Sequence, residues 1–499
     1  MKMTKEQKYR LLEQVEPQEL DQLRELVSQC GWRQRYHIQP NMGLLNDPNG
    51  FAYYDGQYHL FYQWFPLGTD HGMKYWYHLK STDLVNWQDC GIGLKPGDWF
   101  DSHGAYSGSG LEHDGKLYLM YTGNTRDEQW QRHPYQCLAV MNRDDEVSKL
   151  EQPVIGEVAD GYTDHYRDPK LWKDGETFYC VIGAQRKELT GAVVVYSSPN
   201  LRHWNWVGEL QTKLSSFGYM WECPDYFEQN GQAVLLFCPQ GIEPHGERYR
   251  NIYQSGYIVG KPLALPDLQF EHGAFRELDY GFDFYAPQTA EGPNGRRVLV
   301  GWMGLPDIEY PTDDQGWAHC LTLPRELELR SDGIMLQRPV PELTLRRGQR
   351  HELRDVLTIN SGRRQYEGFA GTAYELLCTF GSFDSATPEA MFQLELRASA
   401  SERTVLLYDA ASRTLTLDRT EAGQPLAETY GTTRSVVLEQ QLHRLHVFVD
   451  VSSIEVFVND GEAVLTSRIF PQLGSEDIVF SVQAGQVELY AEKWEYPAE

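Results

Sequence analysis

Five times in the first two thirds of the chain an Asp-Gly or Asn-Gly pair separates two runs of strand-forming residues. The turn glycines, Gly56, Gly115, Gly175, Gly231 and Gly295, follow one another at steps of 59, 60, 56 and 64 residues. Such pairs accept the positive φ that a short hairpin loop requires, so each marks a β-hairpin. Six to eight residues ahead of each turn stand polar groups beside a Pro or Gly, in "NDPNGFAYYDG", "YSGSGLEHDG", "YRDPKLWKDG", "ECPDYFEQNG" and "YAPQTAEGPNG". A sandwich with coincidental spacing would not repeat both the turn and its polar leader. The period predicts an all-β fold, a five-bladed β-propeller of four-stranded blades around one axis.

In a propeller the innermost strand of each blade lines the central channel. The segment ahead of each turn takes that place, which gathers the polar leaders at one end of the channel. Blade one brings Asp47, blade two Ser107, blade three Arg167 and Asp168, and blade four Glu222. Taken alone, Asp47-Pro48-Asn49-Gly50 reads as a turn without chemistry. Three carboxylates delivered to one pocket from distant parts of the chain argue for a site.

The 499 residues suffice for two or three domains, and 41% hydrophobic with 23% charged residues is a globular composition. Residues 1–32 read as a short helical extension and 33–332 as the propeller. The two prolines of "GIMLQRPVPELTLRRGQR" suggest a linker over 333–350. Short alternating runs beyond it predict a C-terminal β-sandwich over 351–499. A formal net charge of −26 argues against nucleic acid or an anionic membrane as partner. No apolar run is long enough to span a bilayer. The charged N-terminus lacks the apolar core of a signal peptide, so a cytoplasmic location is expected. Eight scattered cysteines without a CxxC pair give no support for zinc. Nothing in the sequence specifies an oligomeric state.

Two carboxylates flanking a glycosidic bond suffice to hydrolyse it, one attacking the anomeric carbon while the other protonates the leaving oxygen. Their roles call for different environments, and like-charge repulsion can keep one of them protonated. A third carboxylate can hold the sugar by accepting hydrogen bonds from two hydroxyls. "FYQWF", "KYWYH" and "FYAPQ" supply aromatic faces. Calcium would need further oxygen ligands and an acidic glycine-rich loop, and none is visible, so neither metal nor cofactor is expected. Ser107 lacks the α/β setting of a nucleophile elbow. Cys223 reads as a small buried residue that packs the acid and raises its pKa by desolvation, not as a nucleophile.

At these residues the chain resembles glycoside hydrolase family 32, the invertase and fructan-hydrolase family. "LLNDPNG" resembles its β-fructosidase motif, "YSGS" its second-blade motif, "YRDP" its Arg-Asp-Pro motif and "ECP" its Glu-Cys motif. "FYAPQ", "GWM" and "SSIEVFVNDGEAVLTSRIFP" also match, so the likeness covers nearly the whole chain after about residue 33. "GWAHCLTLPRELEL" and "SHGAYSGS" are most similar to its intracellular bacterial branch, which acts on sucrose 6-phosphate. The resemblance implies a retaining β-fructofuranosidase acting on sucrose 6-phosphate or sucrose, a small-molecule substrate. Asp47 would be nucleophile, Glu222 acid/base and Asp168 transition-state stabiliser. Leu45, Asn46, Gln63, Trp76, Tyr106, Ser107 and Arg167 would line the fructose subsite. Leu44-Leu45 stands where the family often has Trp-Met, and Tyr106 where it often has Phe. Both replacements keep the bulk. A phosphate on the leaving glucose would sit at the pocket mouth, with Lys74, Arg126, Arg132 and His133 as candidate partners. The alternative for each is a surface charge paired with Asp127 or Glu128. Fructan hydrolysis, transfructosylation and sugar binding without catalysis remain open readings of the same residues.

Overall fold

The computed structural model describes residues 3–381 and 389–497, so the outermost residues of the expected extension and part of the expected sandwich lie outside the described residues. Blade one runs outward from Gly43–Tyr54 through Gln57–Phe65 and Tyr75–Ser81 to Gln88–Leu94. The innermost strands of the next four blades are Ala105–His113, Tyr162–Asp174, Met220–Gln229 and Tyr285–Glu291. They lie side by side around the channel, and the fifth returns to the first. The ring is closed by Trp317–Ala318, an excursion from blade five that pairs in parallel with Gly43 and Leu44.

The turns form as their residue types require. Asp55-Gly56, Asp114-Gly115 and Asn230-Gly231 are two-residue loops with both residues at positive φ. In blade three the loop shifts by one residue to Gly175-Glu176, and only the glycine has positive φ. In blade five Pro293 has no N–H to give the ladder, and the loop lengthens to residues 292–296.

Every innermost strand carries a register irregularity where its polar leader stands: between Leu45 and Pro48, Ala105 and Gly108, Arg167 and Lys170, Glu222 and Asp225, and Tyr285 and Gln288. A bulge re-aims a side chain and ends regular pairing. Just past each bulge a second polar residue ties its blade to the next. Asn49 Oδ1 accepts from Gly108 N (3.0 Å) and Ser109 Oγ from Leu171 N (2.9 Å). Lys170 Nζ pairs with Asp225 (2.9 Å), which accepts from Thr289 N (2.8 Å). Gln288 Oε1 accepts from Phe51 N (2.9 Å), which brings the circuit back to blade one. These polar groups find partners across blades because the bulges break the ladder within each blade.

The stretch expected as a linker is structured. Met335–Pro339 pairs with Arg325–Leu329 as the outer strand of blade five, and Pro341–Arg346 is a 3-10 helix with a proline in its first turn. Pro339 ends the strand and Pro341 begins the helix, so both prolines punctuate elements. The sandwich that follows packs a six-stranded sheet on a five-stranded one over an apolar core that includes Leu376, Leu394, Leu406, Val447 and Phe480. Helices at Lys5–Lys8 and Pro17–Ser28 form the N-terminal extension.

Candidate active site

The bulges turn side chains from three blades into the mouth of the channel. Asp47 Oδ1 accepts from Asn46 Nδ2 (3.0 Å). Its Oδ2 accepts from Ser107 Oγ and lies 3.5 Å from Gln63 Nε2. Asp168, only 6% exposed and at φ +67°, donates its backbone N–H to Thr122 Oγ1 (3.1 Å) and accepts the Cys223 N–H at Oδ2 (3.0 Å). Cys223 is at φ +49°. Non-glycine residues in this left-handed region cost about 1–3 kcal/mol and concentrate at functional sites. Glu222 is held at one oxygen by Arg167, at 2.6 and 3.0 Å, and at the other by Gln240 Nε2 (2.7 Å) and Tyr285 OH (2.6 Å).

Burial raises the pKa of Asp47. The Ser107 hydrogen bond opposes it, the charge of Glu222 adds to it, and Asn46 and Lys74 oppose it. Burial also raises Asp168; Arg167 works against this, while Glu222 and Asp47 reinforce it. The Cys223 thiol lies 3.7 Å from Asp47 Oδ2 and 3.6 Å from Asp168 Oδ2. Burial and then those two carboxylates push it well above the ordinary thiol range. It is therefore a protonated donor between two acids, not a thiolate. Asp47, Asp168 and Cys223 put ligand-type atoms within 4.8 Å of one another, but a thiol held protonated is a poor metal ligand. The Cys223 side chain faces Asp47 and Asp168, not the Glu222 carboxylate it was expected to pack.

The structure brings Asn46, Gln63, Ser107 and Arg167 together around the carboxylates, the first three bonded to Asp47 and Arg167 to Glu222. Tyr106 is half-buried at the rim, with Arg132 5.6 Å from its ring centre. Leu45 and Trp76 have no exposed surface. Leu45 packs in the blade-one core, and Trp76 donates to Tyr106 O (3.1 Å), so both support the pocket from behind. Lys74 departs furthest from expectation. Its carbonyl is tied to Ala105 N between blades one and two, and its side chain, 1% exposed, runs inward to donate to Asn46 Oδ1 at 2.5 Å. That places its ammonium against Asn46, beside Asp47, and out of contact with solvent. His133 is exposed and paired with Asp127 (3.1 Å). Arg126 and Arg132 differ: the buried Nε of each has no hydrogen-bond partner among the described residues.

Sequence reasoning did not single out Tyr285 or Gln240. Tyr285 was within reach, because it is the blade-five leader, at the bulge that matches Glu222 in blade four. Gln240 ends the second strand of blade four and carries no motif signal.

Residues 37–339 match the family model for the glycosyl hydrolases family 32 N-terminal domain, and residues 342–495 match that for its C-terminal domain. The chain thus belongs to glycosyl hydrolase family 32 and is a glycoside hydrolase. It is 46% identical to the sucrose-6-phosphate hydrolase of Staphylococcus xylosus, over 99% of this chain and 98% of the other. Identity to that of Bacillus subtilis (strain 168) is 42%, over 93% and 94%. Among solved structures, the sucrose-6-phosphate hydrolase of Lactobacillus gasseri superposes with a TM-score of 0.92 at 36% identity, covering all of both chains. A β-fructofuranosidase of Bombyx mori superposes at 0.82 with 31% identity, over 97% and 99%.

Proposed function

We propose that the chain is a cytoplasmic retaining β-fructofuranosidase whose preferred substrate is sucrose 6-phosphate. The observation that carries the phosphate is the pair Arg126 and Arg132 at the mouth, whose buried Nε atoms have no hydrogen-bond partner among the described residues, on a chain of net charge −26. In an acidic protein an anionic ligand needs such a local reversal of field. The names of the relatives point the same way.

Asp47 attacks the anomeric carbon of the fructosyl unit and forms an ester. Asn46, Ser107 and Gln63 hold its oxygens, so the attacking atom is fixed before substrate arrives. Glu222 gives its proton to the glycosidic oxygen as that bond breaks, then takes a proton from the water that opens the ester. Asp168 accepts from ring hydroxyls and stabilises the positive charge that develops on the sugar.

The test is steady-state kinetics on sucrose 6-phosphate, sucrose and inulin. The expected order of kcat/KM is phosphorylated sucrose first and inulin last, and Arg132→Ala should raise KM for sucrose 6-phosphate by about tenfold, since bonds to charged groups contribute about 1.5–3 kcal/mol. Glu222→Gln should cripple these substrates but spare an aryl fructoside whose leaving group needs no proton. Equal wild-type kcat/KM on the two sucroses would leave a plain invertase, and a preference for inulin a fructan hydrolase.

A further inference from the structure

Residues 3–15 run along the rim of the candidate site. Lys8 accepts the Met73 N–H at its carbonyl (2.9 Å), its ammonium pairs with Asp70 (3.0 Å), and Leu12 N donates to Tyr75 OH (2.9 Å). The approach is close enough that a Cβ on Gly72 would lie 2.7 Å from the Lys8 carbonyl oxygen. Connectivity fixes which end of the propeller this is. Asp47 stands near the start of Gly43–Tyr54, and the antiparallel Gln57–Phe65 ends beside it, so residues 66–74 lie at the mouth. For the same reason so do residues 95–104, which lead into blade two, and 127–131, which join its second and third strands.

Tyr9 sits where these three segments meet. Its ring is 5.2 Å from His103 and 5.4 Å from Trp130, and those two rings are 5.3 Å apart. Cations surround the group: Lys5 Nζ lies 4.5 Å from the Trp130 ring, the Arg126 guanidinium 5.8 Å from it, and the Arg132 guanidinium 5.6 Å from the ring of Tyr106. The Tyr9 hydroxyl is within hydrogen-bonding reach of Tyr106 and feels the charges of Arg126 and Arg132; burial first, and then Tyr106, push its pKa up to about 12, so it stays neutral.

We propose that Tyr9 is a specificity-determining residue of the sugar site, its hydroxyl donating to the phosphorylated leaving group beside Arg126 and Arg132, and that the N-terminal extension is the element that brings it there. This rests on the sucrose 6-phosphate reading above. Two guanidiniums neutralise a phosphate dianion but leave acceptor positions on its oxygens, and a fixed neutral donor fills one without adding charge. The ring also narrows the rim on the leaving-group side, where a longer chain would have to exit.

Tyr9→Phe keeps the ring against Trp130 and His103 and removes only the hydroxyl; Tyr9→Ala removes both. Kinetics of both variants on sucrose 6-phosphate and sucrose, with glucose 6-phosphate and glucose as product inhibitors, tests the assignment beside Arg132→Ala. Tyr9→Phe should raise KM for sucrose 6-phosphate and Ki for glucose 6-phosphate by about tenfold. Sucrose KM, glucose inhibition and kcat should stay within about twofold. Unchanged constants in both Tyr9 variants, or equal weakening for both sugars, would overturn the proposal. If Arg132→Ala alone loses the preference, the extension is only a docked segment and the substrate reading stands. If the wild-type enzyme shows no preference, the substrate reading fails and this inference fails with it.

Discussion

Lys74 donates to Asn46 Oδ1, which leaves the amide hydrogens of Asn46 no choice but to face Asp47 Oδ1 and Gln63 Oε1. One buried ammonium thereby fixes the orientation of the amide that holds Asp47. Burial lowers the Lys74 pKa to about 7, with the charge of Asp47 offsetting part of that. Over the acid limb of the pH–rate profile Lys74 is therefore charged, and its charge favours the Asp47 carboxylate. Lys74→Met removes that charge, so Asp47 titrates at higher pH and the acid limb of kcat/KM should move up. An acid limb that stays in place would take Lys74 out of this role.

At the scale of elements, the innermost strands do two jobs with adjacent residues. The leader on each bulge faces the site, and the residue just past it faces the neighbouring blade. The link most exposed to test is Lys170 with Asp225, both essentially buried. Burial lowers the Lys170 pKa, and Asp225 counters it. Among the described residues Asp225 keeps only Thr289 as a hydrogen-bond partner if Lys170 is replaced. Removing one member of a buried pair costs about 3–5 kcal/mol, whereas removing both can be neutral. Lys170→Met should therefore lower the denaturation midpoint markedly, and Lys170→Met/Asp225→Leu should recover most of the loss. A double variant no better than the single one would mean that the ring is held by its backbone bonds alone.

At the scale of the molecule, propeller and sandwich share a charged cluster that is almost wholly buried. Arg325 bridges Asp279 (3.0 Å) and Glu455 (2.8 Å), and His37 bridges Asp450 (2.8 Å) and Glu455 (3.0 Å). Burial opposes charge on His37, but the two carboxylates outweigh it and its pKa is raised. For Asp450 and Glu455 the partners likewise outweigh burial, and both are lowered. The raised histidine contributes stability that is full below its ordinary value of 6.5 and is lost as pH rises through its folded value. The lowered carboxylates contribute stability above their ordinary values, 3.8 and 4.5, that is lost as pH falls through their folded values. The part of the cluster that His37 makes with Asp450 and Glu455 is thus strongest between about pH 5 and 6.5. Calorimetry of wild type and His37→Gln should show the largest gap in Tm in that window and a shrinking gap at alkaline pH. A gap independent of pH would mean that His37 is neutral in the fold.

The sequence by itself determined the blades and their count, because Asp-Gly and Asn-Gly impose a local backbone conformation that needs no distant partner. It also determined the family, since "NDPNG", "YRDP" and "ECP" keep their order along the chain. What it could not determine was decided by packing between blades. Lys74 reads as a surface cation in "HGMKYWYH" and becomes a buried prop for Asn46 only because its carbonyl is fastened to Ala105 of the next blade. Leu45 and Trp76, read as pocket lining, turn out to be its backing, because the bulge after Leu45 turns Asp47 toward the mouth and leaves Leu45 in the core. Residues 333–350 look like a linker until Met335–Pro339 finds Arg325–Leu329 as its partner. Tyr9, in a charged helical extension, carries no local signal at all, and its place at the rim depends on contacts with loops some 65, 95 and 120 residues away. Turn chemistry and motif order are local and survive in one dimension, whereas which face of a bulged strand meets which neighbour is a property of the closed ring.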